Sequence, residues 1–362
     1  MKVAIVHYWL VNMRGGEKVL EALIEMFPRA DIYTHVYDPK AMPATINRRN
    51  IFTSSINRLP FAKKLYQFYM PLMPKALMDF NLQKYDLIIS SESGPAKGVV
   101  PSPNAYHICY CHTPMRYLWD MYHEYFRKSS FISRFFMKKL IPGLRLWDIA
   151  SSNLVDCFIA NSNYVAKRII RYYNRRPVVI YPPVKIEKFL SVTRDPKDFY
   201  LFFGQVTGYK RADIAIEACI RSGRNLVVAG AGAKNKKYKN NALIRCIGRV
   251  TNEEAAVLFS QAKALLFPGI EDFGIVPVEA NAAGCPVIAY RDGGALETIK
   301  ENITGVFFNE QTPESLMMAI DYFEKNEVTF TNRELFNNHV QQFSKKTFTE
   351  RVYQVLEEKK RS

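Results

Sequence analysis

Two glutamates stand eight positions apart in a segment with the pattern of a strand end, a loop and a helix start. Glu271 lies in the loop after an apolar run, and Pro277 suits the first turn of the short helix that follows. Glu279 is placed in the same turn, where an acid also interacts well with the helix dipole. The N–H groups of residues 274–276 would point out of the helix start, where an anion is stabilised. The pattern predicts a phosphate-binding segment.

Glycine, histidine and basic residues follow three other predicted strands. Gly15 and Gly16 come after the first strand, and His112 comes after a later one. Lys210 and Arg211 follow the first strand of the second half. Taken singly, the glycines fit a tight turn, the histidine a polar strand end and the basic pair a solvated surface. Because parallel sheets bind ligands beyond the carboxyl ends of their strands, the joint placement indicates a function.

Short β-rich apolar runs alternate with helical patterns along the whole chain, which predicts parallel α/β layers. The predicted strands of the first half are 3–8, 32–36, 86–90, 106–111, 157–160 and 178–181, and those of the second half are 200–203, 225–229, 244–247, 264–267, 287–289 and 306–308. A chain of 362 residues is expected to form two domains of ordinary size. We therefore predict an α/β protein with two Rossmann-like, doubly wound domains that face a central cleft.

The predicted domain boundary follows the two prolines of residues 181–184, because consecutive prolines are stiff and end regular structure. The first domain is predicted to span residues 1–184, and the second is predicted to span residues 185–345. Residues 346–362 are predicted to form a C-terminal helix and tail with one apolar stripe. The spacing of the apolar residues does not identify what this stripe packs against.

The ordered set of motifs resembles the retaining glycosyltransferases of family 4, which have the two-domain GT-B fold. Residues 271–279 (EDFGIVPVE) match the family's E-x7-E motif, and the match continues through residues 280–297 and 304–306. Residues 203–213 resemble the diphosphate-binding segment, although Gln205 stands where the family usually has arginine. The resemblance extends to Gly15-Gly16 and to residues 112–114, so it covers both domains. It implies that the first domain faces the acceptor and the membrane and that the second domain binds the nucleotide sugar.

The resemblance implies a role for each matching position. Lys210 would neutralise the donor diphosphate with Arg211 as a helper, and Glu279 would bind the ribose hydroxyls. Glu271 would hold the donor sugar, and His112 would help to orient it. The implied catalytic residues are His112, Glu271 and Lys210, and the implied donor-binding residues are Gly15, Gly16, Gln205, Lys210, Arg211, Phe273, Gly274, Ile275, Val276 and Glu279, with no metal ligand and no cofactor. The acceptor hydroxyl would attack on the face that the leaving diphosphate departs from.

The start of the chain and residues 110–117 look like the branch of the family that includes O-antigen mannosyltransferases. That branch implies GDP-mannose as donor and a growing polyprenyl-diphosphate-linked glycan as acceptor. A UDP-sugar or another GDP-sugar stays open as donor.

A glycan- or lipid-binding protein without activity is the alternative from a different class. A glycoside hydrolase is disfavoured because one glutamate is predicted on a loop and the other on a helix. A dehydrogenase is disfavoured because the segment with Gly230 and Gly232 does not contain the third glycine of the dinucleotide-binding motif.

The net charge of +16 is unevenly placed. Residues 39–78 contain seven bases and no acid, and residues 125–147 contain six bases and no acid, with aromatic residues interleaved in both. Such segments suit an anionic membrane surface, and we expect stretches 40–75 and 127–147 to contact one. For either stretch alone, a solvated basic face beside core residues is an equal explanation. No nucleic-acid-binding module is recognisable, so nucleic acid is not an expected partner.

The N-terminus is interpreted as a first strand and not as a signal peptide, and no segment has the roughly 20 consecutive apolar residues of a membrane span. The expected location is the cytoplasm, peripheral to the cytosolic face of the inner membrane. Six cysteines fit this compartment as reduced thiols. His107, Cys109 and Cys111 alternate along one strand, but three ligands on one flat face make a poor zinc site. Buried strand thiols are the preferred interpretation.

Overall fold

The computed structural model describes residues 1–233 and 241–361, apart from the side chains of Lys128, Lys360 and Arg361. The chain divides into two compact units, Met1–Ile180 and Tyr181–Ser362. Each unit is built on a parallel sheet with helices, as the alternation of apolar runs and helical patterns predicts. The predicted α/β class with two doubly wound domains is confirmed.

The first unit contains a seven-stranded sheet in the order β3-β2-β1-β4-β5-β6-β7, and its strands pair in parallel. Its strands are β1 (Val3–His7), β2 (Asp31–Thr34), β3 (Ile51–Thr53), β4 (Leu87–Glu92), β5 (Tyr106–Cys111), β6 (Cys157–Ala160) and β7 (Val178–Val179). Its helices are α1 (Gly15–Met26), α2 (Ala44–Asn47), α3 (Ala62–Leu65), α4 (Met73–Met78), α5 (Tyr122–Lys128), α6 (Phe131–Ser152) and α7 (Asn163–Tyr173). The order reverses at β1 and β4, so ligands are expected at the carboxyl ends of these two strands.

The second unit contains a six-stranded parallel sheet in the order β10-β9-β8-β11-β12-β13. Its strands are β8 (Tyr200–Phe203), β9 (Leu226–Ala229), β10 (Ile244–Gly248), β11 (Leu265–Phe267), β12 (Val287–Tyr290) and β13 (Gly305–Phe308). Its helices are α8 (Glu187–Leu190), α9 (Ala212–Arg221), α10 (Asn252–Gln261), α11 (Ile275–Ala282), α12 (Ala295–Thr298), α13 (Pro313–Lys325), α14 (Arg333–Val340) and α15 (Lys345–Arg361). The switch point of this sheet lies between β8 and β11.

Residues 181–198 belong to the second unit and are not a free linker. Val184 is buried, and its N–H donates to the carbonyl of Phe343 at 2.9 Å. Ile186 and Phe189 are buried in the same core cluster. The division after Ile180 therefore lies four residues before the predicted boundary at 184, because apolar side chains anchor the segment that the prolines begin. The apolar stripe of α15 is buried at Phe348, Val352 and Val355.

Two histidines are buried neutral groups of the first unit. His35 lies against Ser54 Oγ and the carbonyl of Pro95, both at 3.1 Å from its ring nitrogens. His107 lies against Ser90 Oγ and the carbonyl of Leu154. Burial lowers the pKa of each histidine from the ordinary 6.5 to about 4, although the bond to a carbonyl opposes this shift.

These depressed pKa values predict a pH dependence of stability. Between pH 6.5 and about 4 the unfolded chain binds protons that the native histidines do not. The free energy of unfolding should therefore fall as the pH drops through this window, by up to about 1.4 kcal/mol per pH unit for each histidine. Urea titrations across the window measure it, and a His35→Gln variant should show a smaller slope. A free energy of unfolding that stays constant across the window would contradict this assignment.

Candidate active site

Lys210 and Glu271 meet at the carboxyl ends of two neighbouring strands in the second unit. Lys210 ends the short 3-10 helix Gly208–Lys210 after β8, and Glu271 lies in the loop after β11. Lys210 Nζ lies 2.6 Å from Glu271 Oε1, and the two side chains are only 15% and 20% exposed. The pair therefore places one positive and one negative group, both largely withdrawn from water, where an α/β sheet binds its ligand.

Close backbone contacts hold the loop of Glu271. Gly294 N donates to Glu271 O at 2.8 Å, and a Cβ on Gly294 would lie 2.3 Å from backbone atoms of Phe273. A Cβ on Gly269 would likewise lie 2.7 Å from Lys210 Cα. No side chain fits at these two positions without moving the loop. The loop that carries Glu271 is thus fixed against both Lys210 and the turn at residues 293–294.

The start of α11 follows this loop and has no side-chain cap. Gly274 occupies the N-cap with φ +91°. The N–H groups of the first helical turn have no acceptor within the helix, which makes the helix start suited to an anion. Gly284 follows the helix with φ +77°, as predicted. Glu279 is the fifth residue of α11, so its prediction in the first turn is wrong, and its burial is not explained by the helix dipole.

Three predicted donor-binding residues have other surroundings. Arg211 Nη2 lies 3.0 Å from Asp213 Oδ2, so its charge is already paired two residues away. Gln205 is exposed just after β8. The ring of Phe273 is buried 5.6 Å from that of Tyr181, centroid to centroid, so only its backbone could bind a ligand.

In the first unit, Gly16 and His112 lie close together. Gly15 and Gly16 begin α1, which starts soon after β1. A Cβ on Gly16 would lie 2.3 Å from Tyr8 Oη and 3.5 Å from His112 Nε2, so the helix start passes tightly beside these rings. His112 directly follows β5 and is partly exposed. The predicted glycine and histidine positions of this unit thus form one group at the carboxyl edge of its sheet.

Three further residues of this group are not predicted by the sequence analysis. Ser91 Oγ lies 2.9 Å from His112 Nε2 and 3.0 Å from His7 Nδ1. His7 Nε2 in turn lies 3.5 Å from Glu17 Oε1. Burial lowers the pKa of His112 from the ordinary 6.5 to about 3, so its ring is neutral at physiological pH. A polar residue at the end of each adjacent parallel strand is the sequence signal that could have identified Ser91 and His7.

A buried ionic cluster stands behind His112. Lys97 Nζ lies 2.8 Å from Glu92 Oε1 and forms a second, short ion pair with Asp148. Trp119 Nε1 and Tyr173 Oη donate to Asp148 Oδ2 at 2.8 and 3.0 Å. Burial opposes the charge of Lys97, but the two carboxylates hold its pKa above the ordinary value. The cluster joins β4, α6 and α7, and the N–H of His112 bonds the carbonyl of Glu92 at 2.8 Å.

The three alternating residues of β5 are buried in the way that the sequence analysis prefers. Cys109 and Cys111 are fully buried free thiols. Both ring nitrogens of His107 are hydrogen-bonded, Nε2 with the hydroxyl of Ser90 and Nδ1 with the carbonyl of Leu154. Across the two described ranges, no group of three or more His, Cys, Asp or Glu side chains is arranged to hold a metal ion.

Two protein-family models match the chain. The model described as Glycosyltransferase Family 4 matches residues 13–188, and the model described as Glycosyl transferases group 1 matches residues 184–349. The E-x7-E segment therefore lies within the second match and His112 within the first.

Among curated relatives, the chain is 26% identical to the O-antigen chain mannosyltransferase C of Escherichia coli, covering 89% of this chain and 88% of that protein. It is 25% identical to the alpha-1,3/1,6-mannosyltransferase ALG2 of Homo sapiens, covering 68% of this chain and 66% of that protein. The chain spans 60 to 66% of the length of several relatives that it matches. The solved structure of Anabaena Alr3699/HepE in complex with UDP and glucose has a TM-score of 0.69, 16% identity and 99% coverage of both chains, and this likeness concerns the fold alone.

Proposed function

Because the chain belongs to the glycosyltransferases that the group 1 and family 4 models describe, we propose that it is a retaining mannosyltransferase. It moves mannose from GDP-mannose to a hydroxyl of a lipid-linked or surface-polysaccharide glycan. The observation that carries the proposal is the Lys210–Glu271 pair beside the uncapped start of α11. This arrangement offers a cation and N–H donors to a diphosphate and a carboxylate to sugar hydroxyls.

Each group has a distinct task in the transfer. Lys210 and the N–H groups of residues 273–276 bind the diphosphate, and the fixed positive charge stabilises the leaving group as its negative charge grows. Glu271 accepts hydrogen bonds from the donor sugar, and Glu279 accepts them from the ribose. The bond from C1 to the acceptor oxygen forms on the face where the bond from C1 to the phosphate oxygen breaks. The acceptor's proton passes to the departing diphosphate, so no protein nucleophile is needed.

The donor is proposed from the mannosyltransferase names of two relatives, of Escherichia coli and of Homo sapiens. A UDP-sugar or another GDP-sugar is the alternative within the same fold. We propose further that transfer needs no metal ion and no cofactor, because Lys210 supplies positive charge at the diphosphate. A glycan- or lipid-binding protein without turnover is the alternative outside the enzymes.

A product analysis tests this function. The protein is incubated with GDP-mannose labelled with ¹³C at C1 and with a polyprenyl-diphosphate-linked oligosaccharide, in the presence of EDTA. The expected product carries a new mannose with the α configuration of the donor, read from the one-bond C1–H1 coupling by NMR. A β-linked product would overturn retention. Turnover of UDP-sugars alone would show that the donor is a UDP-sugar and not GDP-mannose. Absence of turnover with every nucleotide sugar would favour the alternative of a glycan- or lipid-binding protein without activity.

We also propose that the first unit docks on an anionic membrane surface, at the cytosolic face of the inner membrane. Helix α6 supports this proposal, because its phenylalanines point outward: Phe131 is 86% exposed and Phe135 is 61% exposed. Ile132 and Phe136 are exposed on the same side, together with Lys139. In the other stretch, Phe61 and Phe68 are about three-quarters exposed. A solvated basic face would not need these apolar side chains outside.

Several bases of these stretches make contacts within the fold and contribute less to such a surface. Arg134 donates to the carbonyls of Phe126 and Arg127, and Arg145 donates to that of Leu118. Lys63 pairs with Asp38 at 3.1 Å. Apolar insertion therefore has a larger part in the proposed docking than the count of bases implies. No helix within the described ranges is long and apolar enough to cross a membrane.

Vesicle sedimentation tests the docking. A Phe131→Ser, Phe135→Ser double variant is expected to lose at least about tenfold in affinity for phosphatidylglycerol-containing vesicles, because each exposed phenylalanine contributes about 1.5–3 kcal/mol when buried in lipid. The matched control is Met318→Ser, Val328→Ser, which removes two apolar side chains of the second unit that are more than 70% exposed. Equal binding by both double variants, or equal binding of the wild type to neutral vesicles, would contradict the proposal.

A further inference from the structure

The side chains of His7, Ser91 and His112 form a continuous row across three neighbouring strands of the first unit. His7 ends β1, Ser91 is its register partner on β4, and His112 follows β5. Ser91 Oγ lies 3.0 Å from His7 Nδ1 and 2.9 Å from His112 Nε2. One hydroxyl thus connects a fully buried histidine with one that is partly exposed.

Glu17 lies at the inner end of this row. Its Oε2 accepts a hydrogen bond from Arg14 N at 2.8 Å, which fixes the carboxylate in the first turn of α1. Its Oε1 lies 3.5 Å from His7 Nε2, and both side chains are at most 1% exposed. This separation is too long for a good hydrogen bond, so the carboxylate acts on His7 through its charge. That charge is little screened because the pair is buried away from water.

The single proton of the Ser91 hydroxyl links the two rings. A carboxylate facing His7 Nε2 favours a proton on that nitrogen and leaves Nδ1 as an acceptor. Ser91 then donates a hydrogen bond to His7 Nδ1, and its oxygen is left to accept a hydrogen bond from the N–H of His112 Nε2. A second proton on His7 would reverse both bonds and move the proton of His112 to Nδ1.

We propose that Glu17, His7 and Ser91 position His112 as the Nε2–H tautomer, so that its Nδ1 is presented as an acceptor to a hydroxyl of the transferred sugar. Within the described residues, His112 Nδ1 has no hydrogen-bond partner, while Nε2 is held by Ser91. The pKa of about 3 supports a neutral ring, and a neutral ring needs a defined tautomer to bind a hydroxyl. The role toward the sugar rests on the proposed function, whereas the tautomer does not.

The other groups around His112 are aromatic. The ring centroid of Tyr110 lies 5.1 Å away and that of Tyr8 lies 6.5 Å away, both edge-on to the imidazole. These contacts restrict the plane of the imidazole ring, but they do not determine which of its two nitrogens carries the proton. The choice of tautomer therefore falls to Ser91 and the groups behind it.

Nitrogen NMR of the full-length protein labelled with ¹⁵N-histidine tests the tautomer without any assay of transfer. The signals of His112 are assigned by their loss in His112→Gln. The expected result in the wild type is a protonated, pyrrole-type signal for Nε2 and an unprotonated, pyridine-type signal for Nδ1. In Ser91→Ala this preference is expected to be lost. A wild-type protein with the proton on Nδ1 would overturn the proposal, even if Ser91→Ala does not fold.

A kinetic comparison with a matched control tests the consequence. Ser91→Ala is expected to lower kcat/KM by about 10- to 100-fold, as the loss of one buried hydrogen-bond partner does, and Ser91→Thr should restore much of it. Ser90 is the control, because its hydroxyl bonds another buried histidine, His107, at 2.9 Å. Ser90→Ala should leave both the tautomer of His112 and kcat/KM close to those of the wild type. An unchanged tautomer in Ser91→Ala, or equal kinetic losses in the two variants, would overturn the positioning role. Absence of transfer by the wild type would count against the proposed function and leave the tautomer test intact.

Discussion

Replacing Glu271 by alanine is expected to abolish measurable sugar transfer while leaving the affinity for a nucleoside diphosphate unchanged or higher. The loss should be at least about 100- to 1000-fold in kcat, the range for removing one group that stabilises a transition state. Affinity is retained because Glu271 Oε1 lies 2.6 Å from Lys210 Nζ and competes with a diphosphate for that cation. Initial rates and calorimetric titration with the nucleoside diphosphate measure the two effects separately.

Lys210→Ala is the partner variant and should behave differently. It removes the cation itself, so both kcat and the affinity for the diphosphate should fall. The matched controls are Lys263→Ala and Asp198→Ala, which break a 2.7 Å ion pair of the same unit that is open to solvent on the acidic side. Wild-type activity in both Glu271→Ala and Lys210→Ala would show that the site lies elsewhere.

Replacing Lys97 by methionine is expected to destabilise the first unit by about 3–5 kcal/mol, because it leaves two buried carboxylates without their cation. Lys97, Glu92 and Asp148 are each 0% exposed, so water cannot compensate. Burial already raises the pKa of Glu92, and the loss of Lys97 should raise it further. Thermal unfolding should show a midpoint lower by roughly 6–20 °C for a unit of this size.

The control for this prediction is Lys75→Met, which breaks an exposed ion pair with Asp79 at 3.3 Å. An exposed pair of this kind contributes less than about 1 kcal/mol. Adding Glu92→Gln and Asp148→Asn to Lys97→Met should recover part of the stability, since it removes the uncompensated charges. A Lys97→Met protein as stable as Lys75→Met would show that the cluster is not the ionic support described above.

The parallel sheets follow from the sequence because each buried strand is a short, nearly continuous apolar run. Each of the twelve predicted strands has a counterpart in the structure. Strand β3 was not predicted, since Ile51–Thr53 is a three-residue edge strand that is largely exposed and lies inside a basic stretch. The chain divides after Ile180, four residues before the predicted boundary, because Val184 packs into the core although the prolines of 181–184 end regular structure.

The candidate site was predictable in its parts and less so in its contacts. Glu271 and Lys210 were assigned separate tasks from motifs 61 residues apart, and their ion pair depends on β8 and β11 being neighbours in the sheet. Ser91 lies 84 residues from His7, so their contact requires the register of β1 against β4, which periodicity alone does not give. The sequence placed the phenylalanines of α6 in a stretch expected to contact a membrane, but it did not decide whether they face outward, because an apolar residue on a helix is usually placed in the core.

Thermal unfolding against a panel of nucleotides tests the central claim most directly, namely that this chain binds a nucleoside diphosphate sugar as its substrate. GDP, UDP, ADP, CMP and NAD are compared in the presence of EDTA. We expect GDP alone to raise the midpoint of thermal unfolding, by roughly 5–10 °C when the nucleotide is present at about 100 times its Kd. A midpoint raised by UDP alone would support the same binding site but show that the donor is a UDP-sugar. No rise with any nucleoside diphosphate would contradict the account.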